Sequence, residues 1–138
     1  MGSLLAEPDR DLTHVFPRPE VLALAALTTL GMPRSRAATL SAVAAAVVAD
    51  PDLFRASRGL DEAIHRLQSI RGIGEWTAHY IALRQMREPD AFPAADVGLM
   101  RALAGLEGHR RSSRELVGRA DRWRPWRAYA AQHLWASI

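Results

Sequence analysis

The sequence contains no cysteine and no lysine among its 138 residues. Without cysteine, the chain itself holds no disulfide, no thiolate zinc site, no iron–sulfur cluster and no cysteine nucleophile. Without lysine, it forms no lysine Schiff base and has no P-loop lysine. All 18 residues in the Lys+Arg count are therefore arginine. Because alanine is abundant as well, a GC-rich genome explains this usage at least as well as a functional demand does.

The positive charge is modest overall but concentrated in one stretch. The formal net charge is +3, and eight arginines stand against three acidic residues between Arg101 and Arg127. Such a cluster attracts polyanions, and it is equally typical of solvated helix faces. The longest apolar run, from Ala37 to Ala49, is too short for the roughly 20 residues of a membrane span, so no membrane association is expected. No signal-peptide pattern follows Met1.

Helix start and stop signals recur along the chain and predict an all-α domain of about seven short helices. Pro19 suits a first helical turn, Asp96 can cap a helix, and Ser112 with Glu115 forms a capping-box pattern. No stretch alternates apolar and polar residues as a half-buried strand does, so no sheet is expected. The helical domain is expected over residues 16–138. Its lead-in, residues 1–15, is polar and unpatterned, typical of a disordered segment or of a remnant.

The most informative stretch runs from Leu67 to Ala78 and contains Gly72-Ile73-Gly74. Two glycines at this spacing allow a tight turn with positive φ at both, while Ile73 points back to the core. The free N–H groups of the following helix, together with its dipole, form a site for an anionic oxygen such as a phosphate. A helix–helix corner that needs glycine for purely steric reasons explains the spacing at least as well.

Three motifs in this order resemble the helix-hairpin-helix DNA glycosylase superfamily, in its 3-methyladenine DNA glycosylase II branch. They are Leu-x-x-Ile-x-Gly-Ile-Gly-x-Trp-Thr-Ala at 67–78, Asp90 to Leu99, and Trp123 to Ala130 with His133-Leu134-Trp135 beyond it. The resemblance implies a helical glycosylase fold with the helix-hairpin-helix at about 61–87. It also implies base-excision repair, in which the N-glycosidic bond of an alkylated purine of the 3-methyladenine type is hydrolysed after base flipping.

The resemblance makes Asp96 the catalytic residue. A carboxylate beside C1′ stabilises the oxocarbenium-like state and can orient or deprotonate the attacking water. Trp76, Tyr80 and Trp135 match pocket aromatics, whose rings suit a cationic flipped base. Strand-cleaving members of the superfamily carry a Schiff-base lysine where this chain has Trp76, so hydrolysis without strand cleavage is implied. By contrast, three aromatic residues are expected in the core: Trp123, Trp126 and Tyr129.

The expected DNA contacts centre on the hairpin. The resemblance implies that a phosphate of double-stranded DNA is bound by Gly72, Ile73, Gly74, Thr77 and Arg101. Arg110, Arg111 and Arg114 are further arginines within reach of such contacts, each of which makes binding more salt-sensitive. No cofactor is required by the resemblance. The resemblance also implies a Na⁺ or K⁺ ion on the main-chain carbonyls of Gln68, Ile70 and Ile73.

Full-length members of the branch carry a β-rich domain and further helices before the matched region, and neither is recognised here. The resemblance therefore implies the C-terminal part of a glycosylase. Missing helices leave apolar surface uncovered, so a homodimer or a partner that replaces the missing domain is expected. Two functions stay open: a monofunctional alkylbase DNA glycosylase, cytoplasmic and associated with the nucleoid, or a non-catalytic helix-hairpin-helix DNA-binding fragment.

Overall fold

The computed structural model describes residues 2–9, 12–55, 59–108 and 112–138. In this part of the chain the α-helices are α1 (Pro19–Leu24), α2 (Arg34–Ala49), α3 (Leu60–Gln68), α4 (Glu75–Arg84), α5 (Val97–Glu107), α6 (Ser113–Ala120) and α7 (Arg127–Trp135). Short 3₁₀ helices cover Leu27–Leu30 and Asp121–Trp123. The expectation of an all-α fold with about seven helices is thus confirmed. None of the described helices is both long and apolar enough to cross a membrane.

One departure from the expected pattern is a small antiparallel sheet within the first 15 residues. Its strands are β1 (Leu4–Asp9) and β2 (Leu12–His14), paired with Leu4 opposite His14. All three residues of β2 are exposed, and the side chain of Leu4 is exposed as well. Because the described side chains of this ribbon are exposed or only partly buried, no alternation of apolar and polar residues is needed, and the sequence pattern therefore does not show it.

The chain divides into two compact units, and the first comprises residues 1–53 with 70–72. Its core is a cluster of small and branched apolar side chains from α1, the first 3₁₀ helix and α2: Leu22, Leu27, Ala37 and Ala44. Gly72 lies in this unit with φ +93°, and a Cβ there would come within 1.9 Å of Thr39 Oγ1. Both its conformation and its close approach to α2 therefore require glycine at position 72.

The second unit comprises residues 54–69 and 73–138 and contains α3 to α7. Its core includes fully buried leucines on three helices, Leu67, Leu99 and Leu116. Buried alanines on α3 and α4, among them Ala63, Ala78 and Ala82, leave room for the two helices to pack closely. The capping box of Ser112 and Glu115 at the start of α6 is confirmed.

Candidate functional site

Asp96 stands at the N-terminus of α5, where hydrogen-bond donors from separate parts of unit two hold its carboxylate. Its Oδ1 accepts the Leu99 N–H at 2.9 Å, which is the expected N-cap. The same oxygen accepts the Trp135 indole Nε1–H at 2.9 Å. Trp76 on α4 donates its Nε1–H to Oδ2 at 3.1 Å. Helices α4, α5 and α7 therefore fix the direction of this carboxylate together.

These donors keep Asp96 ionised. Burial by itself raises the pKa of the Asp96 carboxyl, but the hydrogen bonds from Trp135, the Leu99 N–H, Trp76 and the Gly98 N–H outweigh it. The pKa consequently lies below its ordinary value. A carboxylate with a lowered pKa is a weak base, which favours stabilisation of positive charge over removal of a proton.

The structure brings the three predicted pocket aromatics together beside this carboxylate. Trp76 and Tyr80 stack with ring centroids 5.2 Å apart and an angle of 15° between their planes. Tyr80 meets Trp135 edge to face at 6.0 Å. Trp76 remains 39% exposed. We define Trp76, Tyr80 and Trp135 as the aromatic cluster, which presents electron-rich ring faces next to a negative charge.

Arg84 is a member of this site that sequence reasoning missed. It lies on α4 four residues after Tyr80, and its guanidinium carbon is 5.7 Å from the Tyr80 ring centroid and 5.4 Å from that of Trp135. A cation thus already lies over two faces of the aromatic cluster. The four-residue spacing after Tyr80 places Arg84 on the same helix face, which is the signal that could have identified it.

Gly98 is a second residue that the sequence did not single out. A Cβ at this position would lie 2.9 Å from Asp96 Oδ1 and 3.3 Å from both Cδ1 and Nε1 of Trp135. A side chain would therefore press on the carboxylate and on one of its indole donors at once. Glycine at position 98 lets Trp135 reach Asp96.

The loop that precedes Asp96 is anchored to α7 by charge. Arg127 is 6% exposed and donates Nε–H to Asp90 Oδ1 at 2.7 Å and an NH2 proton to Oδ2 at 2.8 Å. Arg124 also pairs with Asp90. The Ala128 N–H donates to the Pro89 carbonyl at 2.9 Å. Burial raises the pKa of Asp90, but the bond and charge of Arg127 outweigh it, so the pKa is lowered.

The two glycines of the hairpin differ from each other. Gly72 has the expected positive φ, whereas Gly74 has φ −87° and ψ 174°, so the prediction of positive φ at Gly74 is wrong. Gly74 is instead the extended N-cap of α4, and a Cβ there would meet no atom within 4 Å. Ile73 is buried as expected. The missing side chain at Gly74 leaves the first N–H groups of α4 uncovered.

The expectation that Trp126 and Tyr129 are core residues is wrong. Trp126 is 57% exposed and Tyr129 is 65% exposed, and their rings contact each other edge to face at 5.7 Å. Helix α7 turns a different face inward, with Arg127, Ala128, Ala131 and Leu134. Trp123 is partly buried and packs edge to face on Phe92 at 6.0 Å.

The remaining predicted contact residues lie in different settings. Thr77 is partly buried on the first turn of α4, while Arg101 and Arg114 are exposed on α5 and α6. Arg110 and Arg111 lie outside the described residues. Among the described residues, no group of three or more His, Cys, Asp or Glu side chains is placed to hold a metal ion.

Two of the proteins most similar in sequence are described as a DNA repair enzyme and as a DNA glycosylase. The chain is 40% identical over 129 residues to a Mycobacterium tuberculosis protein described as a probable bifunctional transcriptional activator/DNA repair enzyme AlkA, covering 92% of this chain and 25% of that protein. It is 36% identical over 123 residues to DNA-3-methyladenine glycosylase 2 of Escherichia coli, covering 87% of this chain and 42% of that protein. No family model matches the chain.

A solved structure supports the same fold. The 3-methyladenine DNA glycosylase Mag1 of Schizosaccharomyces pombe, in complex with abasic DNA, superposes with a TM-score of 0.76 at 21% identity. The match covers 92% of this chain and 65% of Mag1. The fold is therefore that of the helix-hairpin-helix DNA glycosylases.

By sequence, the chain is a homologue of DNA-3-methyladenine glycosylase 2. It spans a quarter of the M. tuberculosis relative and less than half of the E. coli one.

Proposed function

We propose that this chain carries the catalytic site of a monofunctional DNA glycosylase that hydrolyses the N-glycosidic bond of alkylated purines, of the 3-methyladenine type, in double-stranded DNA. The observation that carries this proposal is the Asp96 carboxylate, held by two indole N–H groups at the edge of the aromatic cluster. The similarity to 3-methyladenine DNA glycosylases supports the same activity.

The chemistry follows from the charge at this site. The flipped base departs with the electron pair of the C1′–N bond, and positive charge develops on the sugar. Asp96, which its neutral hydrogen-bond donors keep ionised, stabilises that charge. A water molecule then adds its oxygen to C1′ and passes its proton to solvent, which gives the free base and an abasic site. An N-alkylated purine that is cationic leaves as a neutral molecule, so its departure requires no proton donor.

The aromatic cluster supplies recognition. Ring faces of tryptophan and tyrosine attract a cation without any hydrogen bond specific to one base. Trp76, Tyr80 and Trp135 therefore select electron-deficient bases more than they select a particular shape. Trp76 stands where a Schiff-base lysine would have to stand, which favours hydrolysis without strand cleavage.

DNA binding is proposed through the backbone of the hairpin. The bare start of α4 at Gly74, with Thr77 in its first turn, suits a phosphate, and exposed Arg101 adds a charge. Gly72 and Ile73 of the hairpin stay predicted contacts of the same phosphate. The carbonyls of Gln68, Ile70 and Ile73 accept none of the turn, loop and cap hydrogen bonds found among the described residues. A Na⁺ or K⁺ ion on these carbonyl oxygens stays a prediction, and it would help to neutralise that phosphate.

A covering partner is also proposed for unit one. Phe16 is 80% exposed and Leu24 is 91% exposed in this unit. Exposed apolar side chains mark an interaction surface where they form one contiguous patch. A second copy of the chain, or the part of the relatives' length that this chain does not span, would cover them. Nucleoid association stays a prediction that follows from DNA binding.

The test is release of purine base from methylated duplex DNA by this protein, with Asp96→Asn as the matched control. We expect base release by the wild type, intact strands until alkali is added, and release by the variant that is lower by about a hundredfold or more. Equal release by both proteins would show the catalytic assignment to be wrong. Salt-dependent duplex binding without release by either protein would replace the proposal with the binding-fragment alternative.

A further inference from the structure

His79 lies on α4 between Trp76 and Tyr80 and faces the loop that leads to Asp96. The Phe92 N–H donates a hydrogen bond to His79 Nδ1 at 3.2 Å. Because a backbone N–H can only donate, Nδ1 must be unprotonated, and the ring proton of neutral His79 is therefore on Nε2. Protonation of Nδ1 would replace this attraction by a contact between two donors.

Helix α4 thus holds the loop at two points, three residues apart on the helix and four residues apart on the loop. His79 accepts from Phe92, and Trp76 donates to Asp96. Between these points the Ala94 N–H donates to the Phe92 carbonyl at 2.9 Å, and the Asp96 N–H donates to the Pro93 carbonyl at 2.9 Å. The backbone position of Phe92 is therefore transmitted to Asp96 through two short turns.

Packing makes the Phe92 contact decisive for this loop. Ala91, Phe92 and Pro93 are all buried. Water therefore has little access to the Phe92 N–H if His79 stops accepting it. An N–H group left unpaired in a buried segment is unfavourable, so the segment shifts to find another partner.

We propose that His79 is a positioning residue: by accepting the Phe92 N–H it fixes residues 92–96 on α4 and sets the direction of the Asp96 carboxylate, and its protonation releases this hold. The effect on catalysis rests on the proposed glycosylase function. The hold itself is a property of the fold.

The charges around His79 determine the direction of its pH response. Burial, the largest influence, lowers the pKa of His79; Glu75 on α4 raises it, Arg127 on α7 lowers it, and Asp61 on α3 and Asp90 raise it. The net pKa lies below the ordinary histidine value.

Other charged groups line the cavities next to the ring. His65 and Arg124 line one cavity that includes His79, and Arg114 lines another.

The unfolded chain binds a proton at His79 more readily than the folded protein does. The stabilising contribution of neutral His79 is therefore complete when the pH is above the ordinary histidine pKa. It is lost as the pH falls through the lowered pKa of His79 in the fold.

Nuclear magnetic resonance of the indole N–H groups tests the hold without any activity. The sequence has four tryptophans. Signals of Trp76 and Trp135 report their bonds to Asp96. Trp123, which packs on Phe92, reports the loop itself, and exposed Trp126 serves as the internal reference. In the wild type we expect the Trp76 and Trp135 signals to shift as His79 titrates, below pH about 6.5.

Two variants at position 79 separate positioning from a general effect on folding. His79→Asn places a side-chain oxygen where Nδ1 lies and does not titrate, so the neutral spectrum is retained and the shift disappears. His79→Ala shows the acid-form signals already at neutral pH. His65→Asn, a change on the same cavity, behaves as the wild type.

Base release gives the second readout. Over the same pH range we expect wild-type release to fall about five- to tenfold, the factor that one hydrogen bond carries. Release by His79→Asn stays flat, and His79→Ala is lowered at every pH.

Two outcomes would overturn the inference whatever the activity: indole signals that do not follow His79 in the wild type, or a shift that persists in His79→Asn. If the indole shift is seen in the wild type and abolished in His79→Asn, but the protein releases no base, His79 positions the loop and only the proposed function is refuted.

Discussion

Asp90 and Asp96 lie six residues apart on one loop, yet their surroundings are of opposite character. Asp90 is paired with two arginines, one of which is buried. Asp96 receives its hydrogen bonds from neutral groups, the indoles of Trp76 and Trp135 and backbone N–H groups. Both carboxyls have a lowered pKa, the first chiefly through Arg127 and the second through neutral donors that outweigh burial.

The difference separates structure from chemistry. A carboxylate between arginines has its charge compensated and stabilises the fold. A carboxylate held by neutral donors is just as firmly oriented, but its negative charge remains available to a cation that forms nearby. Within this loop, Asp90 therefore anchors the backbone, and Asp96 is the group suited to react.

The largest expected effect comes from removing the available charge. Asp96→Asn should lower base release by about a hundredfold or more, the range for loss of one preorganised electrostatic group. Asparagine keeps the cap of α5 through its oxygen, but its NH2 group then faces the Trp76 indole donor, so the free energy of unfolding should fall by about 1 kcal/mol, the value of one hydrogen bond. Single-turnover kinetics and urea unfolding measure the two quantities. A large loss of stability with retained activity would reverse the roles of the two aspartates.

Asp90→Asn should show the opposite pattern. The side chains of Asp90 and Arg127 are 17% and 8% exposed, so the variant leaves a buried guanidinium without its nearest counter-charge. We expect the free energy of unfolding to fall by about 2 to 3 kcal/mol, somewhat below the range for fully buried pairs. Urea unfolding gives this value, and residual base release below the unfolding midpoint should stay close to that of the wild type. Asp121→Asn, at the more exposed end of the same network, is the control and should change little.

Gly98→Ala tests how tightly Asp96 is oriented. The added methyl group presses on Asp96 Oδ1 and on Trp135, so base release should fall about tenfold, less than the roughly 100-fold that a full ångström of misplacement can bring. Gly105→Ala on the same helix meets no atom within 4 Å and should leave release unchanged. Equal rates for the two variants would show that Gly98 has no influence on the carboxylate.

The smallest effect concerns selectivity at the aromatic cluster. Because Arg84 places a cation over Tyr80 and Trp135, Arg84→Met should raise the preference for a cationic purine over a neutral one by about two- to fivefold, the factor of an exposed cation–π contact. Competition between two lesions in identical duplexes measures the ratio. An unchanged ratio in Arg84→Met would contradict the prediction.

Arg101→Met is the comparison variant. It should weaken binding to both duplexes equally and reduce the dependence of binding on salt.

Sequence patterns within a few residues predicted the helix caps correctly, but they did not predict which aromatic side chains are buried. The Asp96 cap and the capping box of Ser112 were predictable because each depends on residues three positions apart. The face of α7 was not, because Trp126 and Tyr129 could equally have turned inward. The positive φ expected at Gly74 was wrong since the start of α4 needs an extended cap there.

The sequence by itself determined the helices, the chemistry of the side chains and the aromatic spacing along α4, because these follow from residues within one or two helical turns. Only the tertiary structure decided which groups meet. Trp135 reaches Asp96 across 39 positions of sequence, Trp76 across 20, and His79 reaches Phe92 across 13. Such bonds depend on how helices pack against a loop, which no periodicity along the chain records.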